Sequence, residues 1–139
     1  MKKEKDKKEN QITGNIGMYY ACYKLSELGF NVMPTARNAK GVDIIAYTPD
    51  AKRFLGIQVK TVSKKWAVPL GKKFAPMGDF WIVVCLDGTD GHPDCFIMKP
   101  TEVRDRTGVC PEGDAWLSHK HYSSPKYFER WDRIKKDKR

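Results

Sequence analysis

Apolar positions recur along this chain with two different periods. From Ile12 to Leu28 the spacing is helical, carried by Ile16, Tyr19, Tyr20, Tyr23, Leu25 and Leu28, and it predicts a helix with its tyrosines packed in the core. Thr13 is the expected cap and Gly29 the expected stop. Phe30 to Met33 then reads as a short strand closed by Pro34. Two further apolar runs follow, Ile44 to Tyr47 and Phe54 to Thr61, joined by a tight turn at Pro49 and Asp50. Trp66 to Leu70 is a candidate edge strand, and Phe80 to Leu86 is apolar on both faces, as a central strand is. Gly88, Gly91 and Pro93 mark a turn, after which Cys95 to Met98 returns as the second arm of a hairpin. Thr101 to Arg106 fits one capped helical turn, and Ala115 to Ser118 fits no class. Ser124 and Pro125 are the expected N-cap and first residue of a last helix carrying Phe128, Trp131 and Ile134 on one face. The order helix, strands, hairpin, helix predicts an α/β (α+β) layered domain, a mixed sheet with helices packed on it.

The polar residues in the middle of this pattern change the picture. Gly41-Val42-Asp43 places a carboxylate at the head of one strand, and Gln58 and Lys60 lie two apart on the next. Side chains alternate faces along a strand, so Gln58 and Lys60 point one way and Val59 the other, into a core. A sheet has no structural need of an acid, an amide oxygen and an ammonium gathered at one edge. Such a set is able to hold a divalent cation and to offset developing negative charge. Taken singly, each residue has a plainer role: Asp43 as a loop cap or partner of Arg37 or Lys40, Gln58 and Lys60 as a solvated strand face.

The chain has 139 residues, which favours one domain, and carries a formal net charge of +9. The positive excess is not confined to the ends. Residues 1–10 have five lysines against three acids, residues 129–139 have six basic residues against three, and the body between keeps an excess of its own. This balance favours polyanionic partners, and nucleic acid above all. Lys64, Lys65, Lys72 and Lys73, interleaved with Trp66 and Phe74, suit phosphate contacts and base stacking directly after the Lys60 strand. No apolar run approaches the roughly 20 residues of a membrane span, and the charged stretch from Met1 to Asn10 has no secretory h-region. That stretch is expected to be a disordered tail ahead of a single domain at 11–139. Its four cysteines are then expected to be reduced thiols in a cytoplasmic protein. The spacings of His92, Cys95, Cys110, His119 and His121 do not make the paired knuckles of a structural zinc site.

The helix, then Gly29-Phe30-Asn31-Val32, then Gly41 to Tyr47, then Ile57-Gln58-Val59-Lys60-Thr61 together resemble the PD-(D/E)XK nucleases. That superfamily has the restriction-endonuclease-like fold, a central mixed sheet flanked by helices, and includes Holliday junction resolvases. The Gln-x-Lys variant is similar to that of group I intron-associated homing endonucleases. The likeness is strong over residues 13–62 and holds only in outline beyond them. It implies a DNA endonuclease in which Asp43, Gln58 and the Val59 carbonyl hold Mg²⁺ or Mn²⁺. Lys60 is then the catalytic lysine, and Arg37, Lys40, Lys64, Lys65, Trp66, Lys72 and Lys73 contact nucleic acid. The chain departs from the family pattern twice. The helix Glu is absent, with Asn15 or Met18 at its place, and the strand acid is Gln58, so the metal is expected to be weakly held. The alternatives are an inactive nucleic-acid-binding module of the same fold, or a protein-interaction domain. Cutting both strands of a duplex needs two active sites, so a homo-oligomer is also expected.

Overall fold

The computed structural model describes residues 2–36, 41–72, 74–109 and 113–137. In chain order the elements are α1 (Lys2–Glu27), β1 (Asn31–Pro34), β2 (Ile44–Tyr47), β3 (Phe54–Val62), β4 (Val68–Lys72), β5 (Phe80–Cys85) and β6 (Asp94–Met98). There follow α2 (Pro100–Arg106), β7 (Gly108–Val109), β8 (Asp114–Leu117), α3 (His119–Tyr122) and α4 (Asp132–Lys135). Five strands form a mixed sheet in the order β1-β2-β3-β5-β6. Only β3 and β5 run parallel; the other neighbours are antiparallel. The turn between β2 and β3 is held by the Thr48 hydroxyl, which donates to Asp50 Oδ1 at 2.6 Å.

Each face of the sheet has its own apolar layer. On one, Ala21, Cys22 and Leu25 of α1 pack against Ile57 and Val59 of β3 and Ile82 and Val84 of β5, with Trp131 and Ile134 from the C-terminal end. On the other, Trp81, Val83, Phe96 and Met98 pack against Val68, Val103, Leu117, Tyr122 and Tyr127. Alternation along β3 thus puts Val59 on the α1 side and Gln58 and Lys60 on the opposite side.

Several elements differ from their sequence reading. The helix begins at Lys2, ten residues before Ile12, so the stretch expected to be a disordered tail is helical from Lys2. Lys and Glu are strong helix formers and no Gly or Pro interrupts them before Gly14. Thr13 therefore lies inside the helix and caps nothing. The core face of α1 is Gly17, Ala21, Cys22 and Leu25, while Ile12, Ile16, Tyr19 and Tyr23 are exposed. The small residues bring the helix close; Tyr20 packs against the edge of the core, while Tyr19 and Tyr23 turn away. β4 is an edge strand as expected, but of a separate three-stranded sheet in the order β4-β8-β7, where it pairs with β8. The unclassified Ala115 to Ser118 stretch supplies most of β8. The expected last helix from Ser124 is also absent. The Tyr127 carbonyl accepts from Ile97 N, Glu129 N donates to the Cys95 carbonyl, and Glu129 has φ 52°, so this segment lies along the outer edge of β6. Helix returns only at α4.

Close approach of α1 to β3 is set at Gly17. A Cβ there would fall 2.7 Å from Thr61 Cβ, next to Lys60, whereas one on Gly14 meets nothing within 4 Å. Alanine gains about 1 kcal/mol over glycine inside a helix. At Gly17 the steric term wins, since Thr61 Cβ cannot swing away. We expect Gly17→Ala to lower stability in urea by about 1–3 kcal/mol and Gly14→Ala to raise it by up to about 1 kcal/mol. Equal shifts in the two variants would show that α1 does not seat on β3 through Gly17.

Candidate functional site

Antiparallel pairing of β2 with β3 brings Asp43, one residue ahead of β2, alongside the middle of β3. Asp43 N donates to the Ile57 carbonyl at 2.8 Å and the Asp43 carbonyl accepts from Thr35 N at 2.9 Å, which fixes the backbone from both sides. The carboxylate then takes two hydrogen bonds on one oxygen. Gln58 Nε2 and Val59 N each donate to Asp43 Oδ2 at 2.8 Å. Gln58 is only 9% exposed, so this pairing also satisfies a polar group that burial would otherwise penalise.

Here the structure refines the sequence reading. Asp43 and Gln58 do meet, but the amide presents its nitrogen to the acid, which leaves Oε1 as the end that Asp43 does not engage. Val59 meets Asp43 through its N–H. The N–H and C=O of one strand residue point to the same side, so the Val59 carbonyl also faces the β2 side, beyond the point where β2 begins.

Lys60 stands on the same face as Gln58. Its Nζ lies 5.9 Å from the centroid of the Trp81 ring, within the range of a cation–π attraction. Gln58, Lys60, Lys72, Phe74, Met77 and Trp81 line a common open cleft. Trp81 is held in turn, its Nε1 donating to the Met77 carbonyl at 2.9 Å and its ring meeting Phe74 edge-on. The sequence showed Trp81 only as one apolar residue of a central strand. Its register opposite Gln58 is what makes it the floor of the site, and register is not readable from one strand alone.

The other expected residues divide. Lys72 reaches the cleft from the exposed end of β4. Lys64, Lys65 and Trp66 are exposed on the loop after β3. Arg37, Lys40 and Lys73 lie outside the described residues, as does Cys110. Among the described residues no group of three acidic, His or Cys side chains forms around Asp43. Met18 packs against the core on the α1 side, away from Gln58 and Lys60. Of the acids elsewhere in the chain that are candidates to stand near Asp43, namely Glu27, Asp79 and Glu102, Asp79 engages β3: its Oδ2 accepts from Gly56 N at 2.8 Å and its N–H donates to the Gly56 carbonyl at 2.7 Å. That clamp fixes β3 two residues before Gln58. Glu27 pairs with Lys24 at 3.4 Å, and Glu102 with Arg133 at 2.8 Å. Among the described residues no group of three or more His, Cys, Asp or Glu gathers as a metal cluster, and no helix is long and apolar enough to cross a membrane.

The donor set still suits one kind of ion. A carboxylate, an amide oxygen and a backbone carbonyl are all hard oxygen ligands, the preference of Mg²⁺.

No family model matches this sequence, and no curated protein matches it. Solved structures do share its architecture. A bacterial homing endonuclease superposes with a TM-score of 0.62 at 16% identity, covering 89% of this chain and 91% of its own. The Holliday junction resolvase Hjc of Archaeoglobus fulgidus superposes with a TM-score of 0.60 at 14% identity, covering 91% and 98%. The chain therefore has the restriction-endonuclease-like fold that its strand pattern resembles. At these identities the likeness establishes the fold and leaves the activity to the residues themselves.

Proposed function

We propose that the protein is a metal-dependent DNA endonuclease that hydrolyses phosphodiester bonds. The observation that carries this reading is the contact of Asp43 with Gln58 and Val59 on the strand that also bears Lys60. Asp43, Gln58 Oε1 and the Val59 carbonyl are the groups that would hold Mg²⁺ or Mn²⁺. Such an ion makes its bound water more acidic and neutralises phosphate oxygens. Lys60, an ammonium in an open cleft over an aromatic floor, offsets the charge that grows on the phosphorus oxygens and orients the attacking water. Lys72 and the loop lysines hold the DNA backbone beside it. Duplex cleavage requires two strand cuts, made by the paired sites of a homo-oligomer or by one site in successive nicks.

A single carboxylate also suits a second reading, a DNA-binding module that no longer turns over. Cleavage of plasmid, branched and single-stranded DNA, titrated with Mg²⁺ and Mn²⁺, separates the two. The endonuclease reading expects cleavage by the wild type and a drop of about 10²-fold or more in Lys60→Ala, with DNA affinity nearly retained. Equal cleavage by both proteins would remove Lys60 from the mechanism. Salt-dependent binding with no turnover at any metal concentration would establish the binding module.

A further inference from the structure

The loop after β3 combines a fixed backbone with free side chains. Lys64, Lys65 and Trp66 are exposed, Trp66 to 60%. Beneath them the backbone is tied down twice. The hydroxyl of the fully buried Tyr122 donates to the Trp66 carbonyl at 2.7 Å, and the buried Cys85 thiol approaches the Lys64 carbonyl at 3.5 Å. Burial pushes the Tyr122 phenol well above its ordinary range, with Cys85 adding to the effect, so it remains a donor. A tryptophan held rigidly and left in water forgoes the burial that normally justifies it. Its ring instead borders a groove between the loop and α1, walled by Asn10, Thr13 and Ser63. Lys60 lines both that groove and the cleft that holds Gln58. Lys60 and Glu9 are the charged residues on the groove's walls, and the exposed Lys64 and Lys65 directly precede Trp66 in the chain.

From this arrangement we propose that Trp66 is a stacking platform for an unpaired nucleobase of the strand whose phosphate reaches Lys60. The preferred substrate is then DNA with an unstacked nucleotide beside the scissile phosphate, such as a bulge, overhang or branch, in place of continuous duplex. A paired base keeps both faces covered by its neighbours and has none to offer the ring, whereas an unpaired one gains a preformed surface without ordering the protein. The inference rests on the reading of the protein as one that works on DNA, and it names the form of DNA.

The test measures binding in EDTA, where turnover plays no part. Fluorescence anisotropy compares a labelled duplex with the same duplex carrying a few unpaired nucleotides. The wild type should bind the bulged form about tenfold tighter. Trp66→Ala should bind both forms alike, and Trp66→Phe, which keeps a ring on the same backbone, should retain most of the preference. Lys64→Ala should weaken both forms equally and flatten the salt dependence. A wild type without preference, or a Trp66→Ala protein that keeps it, would overturn the proposal. If the wild type binds and cuts paired duplex equally well, this inference falls and the endonuclease reading stands. If it binds no DNA of either form, both fall.

Discussion

Replacing Asp43 by Asn should abolish metal-dependent cleavage while leaving the fold in place. The asparagine oxygen can occupy the position of Oδ2 and accept from both Gln58 Nε2 and Val59 N, the two donors that meet there at 2.8 Å. Stability should therefore change by less than about 1 kcal/mol. What is lost is the only charged member of the proposed ligand set. With two neutral oxygens left, the cation has no electrostatic reason to stay, and cleavage should fall by about 10³-fold. Asp43→Ala provides the contrast. It removes the acceptor as well, stranding a buried amide and a backbone N–H, each at a cost of about 1–3 kcal/mol. Thermal or urea unfolding beside cleavage reads both effects. An Asp43→Asn protein that cuts at the wild-type rate would place the metal elsewhere. An Asp43→Ala protein as stable as the wild type would mean that the Gln58 and Val59 contacts contribute nothing to the fold.

The parts of this molecule that were legible in the sequence are those set by short-range alternation. β3 carries Leu55, Ile57 and Val59 on one face and Gln58 and Lys60 on the other, and the structure keeps that division. Asp43 was singled out as the carboxylate at the head of an apolar strand, and the structure sets it against Gln58 and Val59. What alternation cannot show is which end of an amide faces its neighbour. Gln58 presents Nε2 because the Asp43 carboxylate is an acceptor and takes a donor. Long-range pairing was equally hidden. β8 exists because β4 offers it an edge, and residues 127–129 lie along β6 because Ile97 and Cys95 have backbone groups to satisfy. Those partners are about 30 or more positions away in the chain, so the local signal of Ser124-Pro125 for a helix lost to them. The tyrosines of α1 illustrate a third limit. Helical periodicity showed a stripe, but small residues won the core face because Gly17 allows α1 to approach Thr61 closely.

Gln58→Glu should strengthen the proposed cation site, at a cost visible only without metal. The substitution sets a second carboxylate where Nε2 now donates to Asp43 at 2.8 Å. Two like charges so close cannot both ionise freely, so the pair should hold a proton at a pH well above the ordinary carboxylate range. In the unfolded chain the same groups ionise normally. The folded variant thus binds more protons than the unfolded one at mildly acidic pH, and its stability must fall as pH rises through that window. We expect metal-free Gln58→Glu to be about 1–3 kcal/mol less stable than wild type at pH 7 and to recover much of that difference near pH 5. Magnesium should reverse the deficit at pH 7, because an ion bound only to the folded state stabilises it by mass action. The thermal midpoint of the variant should therefore climb with Mg²⁺ more steeply than that of the wild type. Cleavage at low metal should rise about tenfold, if a second charge strengthens an oxygen site as hard-cation chemistry requires. Equal Mg²⁺ responses in the two proteins would show that Gln58 is a structural partner of Asp43 and not a ligand. Activity appearing in the variant where the wild type has none would mean that the native amide had switched the site off.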